Sequence, residues 1–306
     1  ASRGGIHALL ADRAHWRPVA DLVLIGLFGG FYIVPLYALI QQRSDPAYRS
    51  RIIAANNILN ALFLVASAII ALGLLKAGLE IPALFLVTGL MNAVVALFIY
   101  LLVPEFLMRF LAWLLVSVFY RVKLRGLDNI PDEGACILAC NHVSYVDAVV
   151  IAASVRRPIR FVMDHRIFAV PVLSFIFRTM RAIPIAPAKV DPAMKAFAFD
   201  AVAAALAAGE VVGIFPEGKL SDTGELGEFR PGIQEIAART PVPVVPMALR
   251  GLWGSFFSRA HHGKALRRWR GVFSRIELVA GPPMAPQQAT PAQLRNAVFA
   301  LRGGAR

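Results

Sequence analysis

The chain has 306 residues, enough for one or two domains of ordinary size. Apolar types make up 58% and charged types 17%, against averages of ~45–50% and ~25%, which excludes a disordered chain and argues against an ordinary soluble enzyme. The 32 basic and 19 acidic side chains leave a net charge of +13, a balance that calls for an anionic partner, nucleic acid or anionic lipid.

A mean hydropathy of +0.62 points to segments that live in lipid. In chain order, three uncharged runs come first, at 22–40, 52–75 and 81–103. A helix needs ~20 apolar residues to cross the hydrocarbon, so each run predicts a transmembrane span. The first is too long for a signal-peptide core and lacks a small-residue cleavage site. The chain opens on Ala1 rather than methionine, so further spans upstream are expected. Gly26, Gly29 and Gly30 in the first run offer small surfaces for close helix packing, as do Ala54, Ala55, Ala61, Ala66 and Ala68 in the second. Asn56, Asn57 and Asn60 should face other helices or a cavity; interhelical hydrogen bonding and a remnant transport path are both open. Arg43, Arg49 and Arg51 against Asp45 put the first loop in the cytoplasm, and residues after 103 on the same side. Arg3, Arg13 and Arg17 argue the other way.

Residues 104–120 are apolar but broken by Glu105 and Arg109, and carry Trp113 and Tyr120. They read as an interfacial or partly buried helix, followed by a basic border of Arg121, Lys123 and Arg125. Beyond it, candidate strands lie at 134–140, 159–163, 181–185, 211–215, 243–249 and 272–280. Candidate helices lie at 145–154, 168–178, 191–208, 231–238 and 290–301. The alternation predicts three transmembrane helices over 1–103, then an α/β domain over 104–306 whose mixed sheet is covered by helices. Two cysteines exclude a disulfide scaffold. Cys136 and Cys140 cannot pair within one strand, where four residues span ~13 Å and a disulfide needs Cα atoms within ~7 Å.

Two clusters sit at strand ends, where α/β sheets place ligands. The first runs from Asn141 to Asp147. Histidine is the natural base near neutral pH, and Asp147 could reach back from a first helical turn to hold one nitrogen of His142. The rival reading is a capping box, Ser144-x-x-Asp147, beside an ordinary loop histidine. The second cluster is Phe215-Pro216-Glu217-Gly218-Lys219-Leu220-Ser221. Glycine allows a close ligand approach, Glu217 offers an acceptor to a hydroxyl and Lys219 offers charge to a phosphate; a plain turn is the rival. His142 has no partner at zinc-ligand spacing, and no GxxxxGK[ST] loop is present.

Together the clusters resemble the glycerolipid acyltransferase family, the lysophosphatidate-acyltransferase-like group. His142 and Asp147 match its HxxxxD box, and Phe215 to Gly218 its FPEG box. Pro241 to Pro246 resembles its later proline block, and the likeness covers about residues 120–285. It implies that His142 deprotonates an acceptor hydroxyl that attacks an acyl thioester, with Asp147 orienting the ring. It implies acceptor binding by Phe215, Pro216, Glu217, Gly218, Lys219 and Arg181. No cofactor is implied beyond acyl-ACP or acyl-CoA as co-substrate, and no metal.

Two departures matter. Leu220 stands where many members have arginine, and the segment from Arg181 to Pro187 lacks the family's terminal arginine. Losing both cations suggests a phosphodiester acceptor, a lysophospholipid, with 1-acylglycerol-3-phosphate as the alternative. FPEGKLS, EFRPG at 228–232 and RGLWGSFFSR at 250–259 look closest to the 2-acylglycerophosphoethanolamine acyltransferase branch. Residues 22–103 resemble the last spans of a major-facilitator lysophospholipid transporter, fused to such enzymes in some bacteria. A transporter fragment with a regulatory tail is a further alternative. The implied location is the bacterial inner membrane, with the catalytic domain cytoplasmic. The basic aromatic stretch 250–275, with Arg259, Arg267, Arg268 and Arg270, reads as a contact for anionic membrane or an acidic carrier protein rather than nucleic acid, with a solvated basic face as the rival.

Overall fold

The computed structural model describes residues 15–102, 104–258, 260 and 273–303. The chain divides into two compact units, residues 1–94 and 95–306. The first is helical, with α1 (Trp16–Arg43), α2 (Arg49–Lys76) and the start of α3 (Ile81–Leu102). Each helix holds a stretch long and apolar enough to cross a membrane: Trp16–Ala38, Arg49–Lys76 and Ile81–Ile99. None of these stretches is buried against protein, so apolar side chains such as Phe63 and Leu64 cover the outside. A helix apolar all round needs lipid or other protein around it.

Polar residues in α2 turn to a neighbour. Asn56 and Asn60 donate their Nδ2 protons to Tyr37 Oη of α1, at 3.1 and 2.8 Å. Interhelical hydrogen bonding therefore accounts for both. The glycines do not act as expected. A Cβ at Gly26, Gly29 or Gly30 would meet nothing within 4 Å, so no helix among the described residues packs closely there.

The second unit is α/β. It opens with α4 (Pro104–Phe119) and continues through β1 (Tyr120–Arg125), β2 (Cys136–Cys140), α5 (Asp147–Ser154), β3 (Ile159–Asp164), α6 (Pro171–Thr179) and β4 (Ile183–Ile185). Then come α7 (Pro192–Ala207), β5 (Val211–Ile214), α8 (Gly232–Arg239), β6 (Val244–Arg250), β7 (Ser274–Ala280) and α9 (Pro291–Arg302). Two helix starts follow from their caps. Asp191 accepts from the N–H of Met194 ahead of Pro192, and Thr290 from that of Gln293 ahead of Pro291.

The sheet has seven strands in the order β1-β7-β6-β2-β5-β3-β4. Only β6 and β7 pair antiparallel, so the sheet is mixed. The carboxyl ends of β2, β5, β3, β4 and β6 share one edge, and β7 and β1 begin there. Central β2 is buried on both faces, as a helix-covered parallel strand must be. Cys136, Leu138 and Cys140 pack into one layer with Val116 of α4 and Val150 and Ile151 of α5. Ile137 and Ala139 face the other layer, with Phe199 and Val202 of α7, Ile236 of α8 and Leu294 of α9. Both cysteines are free.

Two expectations need correction. The basic border is an edge strand: β1 pairs in parallel register with β7, from Tyr120 beside Ser274 to Arg125 beside Val279. Tyr120 and Val122 pack inward, while Arg121, Lys123 and Arg125 take the alternate face. Nor does Arg109 merely interrupt α4. Its Nη2 donates to the carbonyls of Val155 and Arg156, both at 2.8 Å, closing the carboxyl end of α5. α4 is thus docked on the α/β unit by one side, while Leu111, Trp113 and Val118 remain exposed. On α6, Val172 and Phe175 are exposed as well.

Arg109→Met should lower stability by about 2 kcal/mol, because two carbonyls lose a charged donor. A thermal melt of the detergent-solubilised chain, followed by circular dichroism, reads the loss.

Candidate active site

Past Cys140 the chain turns through residues 141–146 into α5. Buried Asn141 pins the turn to β6: its Nδ2 donates to the carbonyl of Leu249 at 3.0 Å, and its Oδ1 accepts the Leu249 N–H at 2.8 Å. His142 comes next. Its backbone N–H donates to Glu217 Oε1 at 2.8 Å, and its carbonyl accepts from the N–H of Ser221 at 2.8 Å. The loop after β5 therefore grips the backbone of His142 on both sides.

Asp147, the first residue of α5, is 0% exposed. Its Oδ2 lies 2.7 Å from His142 Nδ1 and accepts the N–H groups of Val143 and Ser144 at 2.6 and 2.9 Å. An ionised carboxylate only accepts, so the ring proton sits on Nδ1 and Nε2 keeps its lone pair. Only the reach-back half of the capping box forms, from the Ser144 N–H to Asp147. α5 starts at Asp147, Val146 stands at the cap without a side-chain bond, and Ser144 Oγ donates to the carbonyl of Phe257 at 3.2 Å.

Phe215 lies flat on the imidazole, with ring centroids 4.2 Å apart and planes 16° from parallel. Phe161 stacks on Phe215 in turn, at 6.0 Å. That ring fits because residue 213 is glycine; a Cβ there would come within 2.6 Å of the Phe161 ring.

Glu217 has a different job from the one expected. It is buried, Oε1 takes the His142 N–H, and Oε2 takes the N–H of Gly227 at 2.8 Å. Each oxygen takes a backbone N–H and the residue is only 5% exposed, so in this structure Glu217 braces two loops and offers little surface to an acceptor hydroxyl. Burial pushes its carboxyl above the ordinary value, against the two N–H donors and the nearby His142, which pull it down.

Pro216 is buried, and its carbonyl accepts the N–H of Arg230 at 2.9 Å. Gly218 has a φ of +64°, and a Cβ on it would lie 2.5 Å from Arg230 Nε. The guanidinium of Arg230 therefore lies across this glycine, exposed, with no acid paired to it among the described residues. Lys219 is 70% exposed and 3.8 Å from Asp222.

Arg181 is not part of the site. Its Nη1 pairs with Glu210 Oε1 at 3.2 Å, and Arg160 Nε pairs with the same carboxylate at 2.5 Å. Glu210 precedes β5, whereas Phe215 follows it, so this ion pair lies toward the opposite edge of the sheet. Arg259, Arg267, Arg268 and Arg270 lie outside the described residues. Arg230 and Phe161 are the additions that motif reading missed, and Asn141, first in its cluster, had been given no role. Arg230 had a signal, as the arginine of the EFRPG segment.

The result is an imidazole with one nitrogen held by a buried carboxylate, the other available, and one face walled by a phenyl ring. The His142 side chain keeps 25% of its surface exposed, so a hydroxyl can reach it. Such a group is equipped for general-base work. Among the described residues no cluster of three or more His, Cys, Asp or Glu could hold a metal ion.

Residues 121–250 match the acyltransferase family. That stretch contains both loops. A chloroplast 1-acyl-sn-glycerol-3-phosphate acyltransferase from Brassica napus is 32% identical over 142 residues, covering 45% of this chain and 40% of that protein. A 1-acyl-sn-glycerol-3-phosphate acyltransferase from Pseudomonas aeruginosa is 28% identical over 177 residues, covering 58% of this chain and 64% of that one. The chain thus spans less than half the length of the plant relative and under two thirds of the bacterial one. The crystal structure of the LPA acyltransferase PlsC from Thermotoga maritima superposes with a TM-score of 0.47 at 21% identity, over 62% of this chain and 71% of that one.

Glu217→Gln should loosen the site. The amide supplies an N–H₂ where one backbone N–H needs an acceptor, at a cost of about 1–3 kcal/mol. The pH dependence of the melt is a second readout. The folded-state pKa of Glu217 is raised, so its contribution to stability is full below the unfolded value and is lost as pH rises through the folded value. The Gln variant should lack that slope.

Proposed function

We propose that the α/β unit moves a fatty acyl group from an acyl thioester to the free hydroxyl of a lysophospholipid, with 1-acyl-sn-glycerol-3-phosphate as acceptor. The carrying observation is the 2.7 Å contact between His142 Nδ1 and the fully buried Asp147, beside the loop from Phe215 to Gly218. Nε2 of His142 takes the hydroxyl proton as the oxygen attacks the thioester carbonyl. The tetrahedral oxyanion collapses, the carbon–sulfur bond breaks and the departing thiolate receives the proton from the imidazolium. Asp147 holds the ring and meets the cation formed on it.

His142→Ala should lower kcat/KM by about 10²–10⁴ while the melting temperature holds, since general-base assistance is worth that much. Wild-type turnover in this variant would sink the assignment. A regulatory tail on a transporter fragment, the other class of function, has no use for an imidazole held in this way.

The relatives' names support a phosphate monoester acceptor, and so does the unpaired Arg230 across Gly218. A phosphodiester acceptor, as in the ethanolamine lysophospholipid branch, is favoured by Leu220 and by Arg181 being tied to Glu210. Arg230→Gln separates the two. Removing one charge-assisted contact should raise KM for lysophosphatidate about tenfold with kcat retained, and raise KM for lysophosphatidylethanolamine less. An unchanged KM for lysophosphatidate would favour the phosphodiester. The three apolar helices, with their likeness to the last spans of a major-facilitator transporter, serve in this reading as a membrane anchor. The arginine loop at 43–51 supports a cytoplasmic catalytic unit.

A further inference from the structure

Because β7 runs antiparallel to β6, the starts of β7 and β1 share an edge of the sheet with His142. A groove of about 580 Å³ opens there, lined by Arg121, Lys123, Arg125, Arg250, Arg275 and Glu277. Five cations therefore surround one carboxylate. Glu277 is already engaged, with Oε1 2.5 Å from Arg125 Nε and Oε2 2.8 Å from Arg250 Nη1. Arg121 and Arg275 are direct cross-strand partners, and neither is paired with an acid among the described residues. Lys123 is unpaired there too. Like charges set side by side destabilise a sheet unless an anion lies between them.

The residue before Ser274 adds an independent oddity. Phe273 has a φ of +61°, a left-handed conformation that costs a bulky residue energy, and its ring is 60% exposed. Strain of this kind collects at sites that bind something.

The orientation of the groove selects among anions. Tyr120, Val122, Ile276 and Leu278 pack into the layer that holds α4 and α5, so the alternate side chains that line the groove face the other way. The exposed apolar residues of α4 and α6, such as Trp113 and Phe175, would turn toward a bilayer; the groove faces away from that layer, toward soluble ligands. His142 lies on the α5 side of the same sheet end, its ring on Phe215, so the path from the groove to it crosses the strand ends. Arg250 follows Leu249, which is clamped to Asn141, and β1 lies three strand spacings from β2, roughly 14 Å. An extended thioester arm passing over the strand ends spans that gap.

We propose that this groove binds the phosphate-rich nucleotide head of a coenzyme A-type acyl thioester, with paired guanidinium groups on phosphate oxygens. The proposal rests on the acyl-transfer reading above, and names its donor.

The test uses the full chain in detergent and adenosine 3′,5′-bisphosphate as the probe, with binding measured by calorimetry. Wild type and His142→Ala should bind alike, and Arg121→Ser/Arg275→Ser about tenfold or more weaker. The double variant should melt no lower than wild type, since adjacent like charges are gone. In turnover its KM for acyl-CoA should rise about tenfold, with KM for lysophosphatidate unchanged. Arg121→Glu, which places a carboxylate where the phosphate would sit, should weaken the probe further. Equal affinities in wild type and the double variant would overturn the proposal. So would groove-dependent binding of phosphatidylglycerol vesicles, or of an acidic acyl-carrier protein, without binding of the probe. If His142→Ala keeps full turnover while probe binding still depends on the groove, the catalytic reading falls and the nucleotide site stands. If His142→Ala is inactive and the probe does not bind, the groove proposal falls alone.

Discussion

One buried carboxylate joins the ends of β2 and β5. Glu217 gives one oxygen to the backbone of His142 and the other to that of Gly227. A charge taken out of water must be met by donors, and here the donors are main-chain groups of two separate loops. Neither loop has a regular ladder to hold it past the strand ends. Strand pairing brings the loops near each other, and this carboxylate sets their spacing. Asp147 repeats the device on a smaller scale, collecting the ring of His142 and the next two backbone N–H groups on a single oxygen. The imidazole is thus fixed at its backbone by one acid and at its ring by another.

The same two acids shape the electrostatics around it. Asp147 Oδ2 lies 2.7 Å from the ring of His142, and Glu217 Oε1 lies 2.8 Å from its backbone nitrogen. Cys140 lies within reach of both acids as well. Burial first, then Asp147 and Glu217, push its thiol well above the ordinary range, so it stays neutral in the core beneath the loop. The acids that hold the histidine in place keep the cysteine neutral.

Much of this was legible in the chain. The apolar runs, the alternation of strands and helices and the two strand-end clusters are local patterns, and the structure reproduces their order. β1 was missed because every outward residue is cationic and only Tyr120 and Val122 face the core, too short an alternation to stand out. Glu217 was misread because residue type does not reveal burial; an acid beside glycine at a strand end looks like a ligand until both its oxygens are found on N–H groups. Arg181 was misplaced because nearness to a strand in sequence does not say which end of the sheet a side chain turns to. Arg230 lies twelve residues beyond Gly218, and only the return of the loop lays one across the other. The glycines of α1 fit a packing motif, yet no helix among the described residues uses them.

The ring pile beneath the site carries a consequence for natural variation. Imidazole, Phe215 and Phe161 rest on one another above a strand residue that has only hydrogen for a side chain. A single methyl group at Gly213 would press on Phe161, and the displacement would pass through two aromatic planes to the imidazole of His142. The tilt of that imidazole is therefore written in part at a position belonging to neither strand-end cluster. Surveys that judge such chains by intact motifs alone would pass over a disabling change one strand deep.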